Sequence, residues 1–448
     1  MTQIIDDMLR RPASYYQRDW VLACRDGRSF YSTPLGWDLR GPLDTDALSR
    51  ALDDLAGRHD ALRIAFRRRH DDVDQLVAPR VEVELGHLDL SGSADPSAEL
   101  ERRIIAEAER PRALDRAPLW NVLVVRMGPR HHVLAMFVHH LIFDGWSHGV
   151  LHDELVRCVR AAVVGRAPRL PDLPLQIGDF AAWERGRRHA DAEAWWREKL
   201  RLLPPLCAVP PLGGRFISCP LPEVPAGTAH ALRRLAGAHA VGLNTALLAA
   251  VVAQRRYAVG DDVIIGVTRA SRERPELHRV VGPLLDHVPV RVDVSGHLTV
   301  GQLLQRVHRA HRDATARALP LGLVRQVVAE DLSARGGRLF DTRYNYLPNS
   351  SSGEAVVPTP DGELRIAVRG IDPVRLAPRH TEDHPEVLPL SYILRRGPDG
   401  RIAGELCGHD GVYPRHDLRA LADDLTAMLH RFAACDGNRS LPRLRDAG

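Results

Sequence analysis

The residues most able to do chemistry lie together: His139-His140-Leu141-Ile142-Phe143-Asp144-Gly145-Trp146-Ser147. Imidazole titrates near neutral pH, so a positioned histidine can take a proton from an attacking amine or hydroxyl. The aspartate just beyond has two possible roles. It can orient the imidazole, or it can pair with an arginine and hold the turn in shape. A lone histidine after an apolar run is usually a core residue, and Asp-Gly is usually only a turn. Two histidines, then Asp-Gly-Trp-Ser, directly after an apolar strand favour a site.

The elements that must position these residues can be read from periodicity. Val133 to Val138 are apolar and read as a strand. Alternation puts Val133, Ala135, Phe137 and His139 on one face and Leu134, Met136, Val138 and His140 on the other. Only one histidine then faces a given cavity. Asp144-Gly145 marks a turn, and Ser147 is expected to cap a helix carrying Val150, Leu151, Leu155, Val159 and Val163. Leu119–Val125, followed by Gly128-Pro129, supplies a hairpin partner, with His131 and His132 expected to be exposed at its mouth.

Upstream, Asp44 or Thr45 caps a helix with Leu48, Ala51, Leu52 and Leu55 on one face, ended by Gly57. Leu62, Ile64 and Phe66 then alternate as a buried strand face, which turns Arg63 the other way. Residues 81–90 read as a strand and 97–110 as a surface helix. Residues 165–174 are Pro-rich and aperiodic, which predicts a division into 1–170 and 171–448. A second Pro-rich run, 204–225, reads as a surface loop. Asn244-Thr245-Ala246 opens an apolar helix, and Asp262–Val267 is a buried strand. Arg291 alternates with Val288, Val290, Val292 and Val294 in another strand, where a buried arginine needs a carboxylate. Residues 348–362 read as a polar loop. A strand near 388–394, a Gly397-Pro398-Asp399-Gly400 turn, a strand to Leu406 and a helix from Arg415 to Phe432 complete an α/β chain.

Composition narrows the function classes. The chain has 448 residues, 44% of them hydrophobic, ample for two lobes. It has no apolar run of membrane-spanning length. Its start, Met1 to Asp7, carries acid early and lacks a signal-peptide pattern, so a cytoplasmic protein is expected. The net charge is +4, and Lys199 is the only lysine. Arginine scattered among Asp and Glu argues against nucleic-acid binding. Six cysteines without a CxxC pair argue against a zinc site. His148 and His152 have i,i+4 spacing but no accompanying carboxylate motif, so no metal is expected.

His139 to Gly145 resembles the HHxxxDG signature of the condensation domains of nonribosomal peptide synthetases, a superfamily that includes chloramphenicol acetyltransferase. Further segments carry the resemblance. Ala13 to Trp20 loosely matches SxAQxRLW, and Arg58 to Phe66 matches RHExLRTxF with Asp for Glu. Ile177 to Trp183 is similar to YxDFAxW, with Trp183, Trp195 and Trp196 expected to pack on that helix. Val281 to Arg291 is similar to VGxFxNxxPxR but departs at Leu284 and Asp286. HxDxPFE is poorly kept at Arg317–Gly322, and Phe340–Tyr346 occupies the place of the next motif. The match covers nearly the whole chain, with no adenylation-like or carrier-protein segment, so a free-standing domain is expected.

The resemblance implies an α/β (α+β) fold of two chloramphenicol-acetyltransferase-like lobes in a V-shaped pseudo-dimer, with a tunnel between them. It implies a catalytic set of His140, Asp144 and Gly145. His140 is the base, the Gly145 N–H and the Ser147 hydroxyl steady an oxyanion, and Asp144 is architectural, paired with Arg291. His139 and Trp146 support the site, and Arg63 is structural and close to the Asp144 turn. No cofactor is bound. The acyl group arrives on the phosphopantetheine of a peptidyl or acyl carrier protein, or on coenzyme A, and passes to a small-molecule or carrier-bound amine or alcohol. A monomer without nucleic acid or membrane partners is expected. Epimerisation domains tend to show DGxSWR and cyclising relatives replace the histidines with aspartate; neither fits. The HxxxxD of glycerolipid acyltransferases is also spelled here, but those enzymes are usually membrane-bound. A non-catalytic relative that recruits a carrier protein or partner enzyme is the alternative from another class.

Overall fold

The computed structural model describes residues 8–24, 26–29, 31–207, 216–332, 335, 337–347, 353–371, 388–397 and 399–440. The readings made on Met1–Asp7, on Pro398, and on parts of the 204–225 and 348–362 segments lie outside the described residues.

The chain begins β1 (Leu9–Pro12), α1 (Tyr15–Ala23), β2 (Arg28–Ser29), β3 (Ser32–Arg40), α2 (Thr45–Arg58), β4 (Ile64–Arg69) and β5 (Asp72–Val77). There follow β6 (Leu85–Asp89), α3 (Pro96–Ala108), β7 (Arg112–Ala113), β8 (Trp120–Gly128), β9 (His131–His139), α4 (Gly145–Val163), α5 (Ile177–Gly186) and α6 (Ala190–Lys199). Next come β10 (Phe216–Pro220), α7 (Ala226–Ala238), α8 (Leu243–Val259), β11 (Asp262–Ala270), β12 (Leu285–Asp293), α9 (Val300–Ala316), α10 (Leu321–Val327) and α11 (Ala329–Leu332). The last elements are β13 (Thr342–Leu347), β14 (Glu354–Thr359), β15 (Gly362–Arg369), β16 (Leu390–Arg396), β17 (Ile402–His409) and α12 (Arg415–Ala433). The class is α/β, as expected.

The chain forms two compact units. The first is Met1–Arg187, Ala270–Leu285 and Ser351–Arg379; the second is Arg188–Arg269, Asp286–Ser350 and His380–Gly448. This replaces the single division expected at residue 170. The reason is burial. Ile177 and Phe180 of α5, then Leu277, Val280, Val281 and Leu284, then Val357, Leu364 and Ile366 all enter the apolar core of the first unit. A core assembled from distant segments leaves no mark in local composition.

In the first unit a six-stranded sheet runs β14-β15-β3-β9-β8-β6. Strand β9 lies inside it, antiparallel to β3 and β8. Its alternation holds. Val133, Ala135 and Phe137 pack with Leu100 and Ile104 of α3, whereas Leu134, Met136 and Val138 join the core that includes Leu48 and Leu52 of α2 and Leu151 and Leu155 of α4. Asp44 caps α2, its side chain accepting from Ala47 N at 2.9 Å, and the helix runs past Gly57 to Arg58.

Several expectations are corrected here. Residues Asp60–Arg63 form a 3-10 turn, closed by the i,i+3 Asp60–Arg63 pair at 2.7 Å, and the strand starts only at Ile64. The 81–90 strand shrinks to β6. His131 and His132 are half-buried, and His131 Nε2 lies 2.7 Å from Asp38. The 348–362 segment contains β14 and the start of β15, a hairpin hydrogen-bonded to β3, because Val357, Leu364 and Ile366 supply a buried face among polar and Gly/Pro neighbours.

In the second unit the sheet order is β10-β17-β16-β13-β11-β12. Part of the expected 204–225 loop is therefore strand β10, paired with β17. Helix α8 is buried on every side from Ala246 to Ala253, the mark of a central core helix. Trp195 and Trp196 belong to α6 in this unit. Trp196 is buried, with its indole N–H on Arg317 O at 2.7 Å, while Trp183 on α5 is 42% exposed. The three tryptophans do not pack on one helix. Among the described residues no single helix is long and apolar enough to cross a membrane.

Candidate active site

The site lies in the first unit, where β9 ends. The strand stops at His139, and His140–Ile142 form a 3-10 turn leading to the N-terminus of α4. The turn separates the two histidines. His139 is fully buried, and its Nδ1 accepts the Leu141 N–H at 3.1 Å, a structural role. His140 is half-buried. Its backbone N–H donates to Tyr31 O at 3.0 Å, and its Nδ1 lies 3.4 Å from the Tyr16 hydroxyl. The Trp20 ring stacks beside it, with centroids 5.9 Å apart and planes at 25°, and the Tyr31 ring lies at 5.3 Å.

Helix α1 brings Tyr16 and Trp20 to this place. Ser14 caps it, accepting the Gln17 N–H while Gln17 Oε1 accepts the Ser14 N–H, a reciprocal capping box. The buried Gln17 then donates through Nε2 to Leu141 O at 2.9 Å. One side chain thus closes the first turn of α1 and ties it to the turn after His140. The Ser-x-x-Gln spacing was the available sequence signal for this contact; nothing local marked Tyr31.

Asp144, not Ser147, caps α4. It is 3% exposed, and its Oδ1 accepts the Ser147 N–H at 2.8 Å and the Ser147 hydroxyl at 2.6 Å. Its Oδ2 accepts the Leu284 N–H at 3.1 Å. Its cationic partner is Arg272, with Nη2 at 3.0 and 2.9 Å from the two carboxylate oxygens. Arg272 is itself buried and also donates to the carbonyls of Leu277 at 2.7 Å, Val280 at 2.8 Å and Gly282 at 3.1 Å. The guanidinium therefore folds the 270–285 segment around itself and fastens it to the start of α4.

This corrects the expected Asp144–Arg291 pair. Arg291 is taken up by Asp262, with Nε at 2.9 Å, and by the carbonyls of Lys199, Arg201 and Leu202. Sequence reasoning placed an arginine opposite Asp144 by motif position. It missed Arg272, which lies beyond the end of β11 in a stretch without apolar periodicity. Arg63 is structural but is not part of the Asp144 turn. It bonds Asp60 and the carbonyls of Ala56, Ala78 and Pro79. The Ser147 hydroxyl is also corrected. It is buried, donates to Asp144 and accepts the Gly282 N–H at 3.1 Å, so it is not directed at an incoming oxyanion.

Gly145 is exposed at the first position of α4, and a Cβ built there meets no atom within 4 Å. The fold does not demand glycine here. Open space faces the N-terminal end of a helix dipole, where developing negative charge is favoured. Trp146 is 48% exposed. Its indole N–H donates to His278 O at 2.8 Å, and its ring lies over Arg272 at 5.7 Å. His278 Nε2 in turn meets Arg272 O at 3.0 Å. Among the described residues no group of three or more His, Cys, Asp or Glu is arranged to hold a metal.

Comparisons with known proteins give the family. The family model described as Condensation domain matches residues 10–357. Chondramide synthase cmdD of Chondromyces crocatus is 33% identical over 321 residues, which are 68% of this chain and 8% of that protein. Phosphinothricin tripeptide synthetase PhsC of Streptomyces viridochromogenes is 32% identical over 331 residues, 68% of this chain and 30% of that protein. The chain thus spans less than a third of the length of either. Among solved structures, the X-domain in the complex of the X-domain and OxyB from teicoplanin biosynthesis superposes with a TM-score of 0.80 at 25% identity, covering 96% of this chain and 95% of that one. With the HHxxxDG turn at the end of a central strand and the family match across most of its length, the chain belongs to the condensation domain family of nonribosomal peptide synthesis.

Proposed function

We propose that this domain transfers an acyl or aminoacyl group from the phosphopantetheine thioester of a carrier protein to an amine, or less often an alcohol, forming an amide or ester. The observation that carries this reading is the anchored His140 ring at the end of β9, followed five residues on by an unobstructed helix N-terminus at Gly145. In the tautomer that carries Nδ1–H, donated to the Tyr16 hydroxyl, Nε2 of His140 takes a proton from the acceptor as it attacks the thioester carbonyl. The carbonyl oxygen becomes an oxyanion facing the Gly145 N–H. Collapse expels the thiolate of the arm, and His140 returns the proton to it. The thioester is already activated, so the step needs no nucleotide.

The test is intact-mass analysis of an acyl-loaded carrier protein, and separately an acyl-coenzyme A, with a panel of amines and alcohols. Loss of the acyl group from the carrier with a new amide is expected. Gly145→Ala should unfold at the wild-type temperature, because its Cβ meets nothing, yet transfer about tenfold or more slowly if the backbone approaches substrate there. Consumption of acyl-coenzyme A alone would make this a coenzyme A-dependent acyltransferase. The complex of the related X-domain with OxyB favours a second reading, recruitment of a partner enzyme. Carrier binding without acyl loss would support it.

A further inference from the structure

We infer that the outer face of the small sheet in the first unit is a docking surface for an acidic helix of a partner protein, read by Arg10, Arg67 and Arg69. This sheet has the order β1-β5-β4, with both pairings antiparallel. Alternation divides its side chains between two faces. Ile64, Phe66, Val73 and Val77 turn into the apolar core. Asp74 and its register partner Arg67 turn the other way, with Arg69 two residues along β4 and Arg10 on β1 opposite Leu76. The three arginines meet on one atom. Asp74 Oδ2 lies 2.7 Å from Arg10 Nε, 2.8 Å from Arg69 Nε and 3.6 Å from Arg67 Nη2.

One carboxylate neutralises one guanidinium. The burial of Asp74 therefore accounts for a single arginine, and the other two are surplus positive charge. The three arginine side chains are 42 to 48% exposed, while the acid beneath them is 3% exposed. Among the described residues no second carboxylate pairs with any of the three. Arg67 Nε is buried without a hydrogen-bond partner. The shared acid also holds the three heads together, so part of their side-chain entropy is already lost before a partner arrives.

An open sheet face does not enclose a small ion, which needs a concave site. It suits a macromolecular surface. Each guanidinium fork matches a carboxylate in bidentate geometry. Arg67 and Arg69, two residues apart on one strand, are spaced about 7 Å at the backbone, and Arg10 stands two strands away, about 10 Å across. Acidic residues three or four apart on a helix are spaced about 5–6 Å at Cβ, so a helix lying over the face can present one to each arginine. A nucleic-acid backbone fits less well, because it follows a continuous positive track. Here Asp71 and Asp72 bound the patch at the hairpin turn, with Asp72 opposite Arg69. The surface uses none of the residues of the acyl-transfer site.

The test is fluorescence anisotropy of a labelled helical peptide with glutamates at i, i+4 and i+8, and of its glutamine counterpart, titrated with the full chain at low salt. Wild type is expected to bind the glutamate peptide about tenfold or more tightly than the glutamine peptide, with the difference shrinking as salt is added. Arg10→Gln/Arg69→Gln should erase that preference. Arg309→Gln, an exposed arginine on α9, should keep it. If the double variant does not fold, Arg67→Gln, which removes the longest of the three contacts, should weaken the glutamate peptide about threefold. Equal affinity for the two peptides in wild type overturns the inference, whatever the variants do. So does a preference that survives in Arg10→Gln/Arg69→Gln, or one lost equally in Arg309→Gln. Binding of inorganic phosphate or duplex DNA through these arginines, without binding of the glutamate peptide, overturns the acidic helix in favour of a phosphate ligand.

Discussion

Asp144 is surrounded by donors: Ser147 through both N–H and hydroxyl, Leu284 N–H, and the Arg272 guanidinium. A carboxylate so placed holds the first turn of α4 and the 270–285 segment in one geometry. Removing Arg272 leaves that charge buried. Arg272→Met is expected to cost about 3–5 kcal/mol in urea unfolding. A double-mutant cycle should show strong coupling between Arg272→Met and Asp144→Asn, and additivity within about 0.5 kcal/mol between Arg291→Met and Asp144→Asn. Coupling to Arg291 instead would contradict the assignment. That Asp144 pairs with an arginine was legible only as what the family resemblance implied, beside the open alternative of orienting the imidazole. Which arginine was not, because the chain's cations are almost all arginine and the choice depends on how the 270–285 segment folds back.

At the scale of elements, α4 is locked to β3 as well as to Arg272. The Trp37 indole N–H donates to His152 Nδ1 at 2.9 Å, and His148 meets the same indole edge-on at 5.7 Å. The i,i+4 histidine pair is thus packing against a tryptophan. Burial first, and the neighbouring His152 second, push His148 down from 6.5 to about 4. The unfolded ring therefore takes up a proton at a pH where the folded ring does not. Its stabilising contribution is complete above about 6.5 and is lost as pH falls from there toward 4. Unfolding measured between these values should show a fall in stability of about 2–3 kcal/mol that is flattened in His148→Gln. An identical slope in both proteins would contradict the burial of this ring. Alternation identified β9 correctly because both of its faces are apolar. It failed at Leu62, where a salt-bridged 3-10 turn mimics a strand face, and at 354–369, where Gly, Pro and charged residues hide a hairpin.

At the scale of the molecule, the chain is two α/β units whose division local composition could not show, since the first unit recovers 270–285 and part of 351–379 for its core. The family was legible in the motifs, and the solved and curated relatives agree with it. The burial of His139 and of Asp144 was legible from the motif, while the role of His140 as a base stays a proposal. The partners of Arg291, Arg63 and Ser147 were not legible, because they are chosen by packing. The central claim is that His140, anchored by Tyr16 and released from the strand by the 3-10 turn, moves the proton in acyl transfer. The most direct measurement is single-turnover transfer from an acyl-loaded carrier protein, followed by intact mass, for wild type and His140→Ala. The account predicts acyl loss and a condensed product with wild type, and a rate reduced at least about 100-fold in His140→Ala. An equal rate in the two proteins would contradict it.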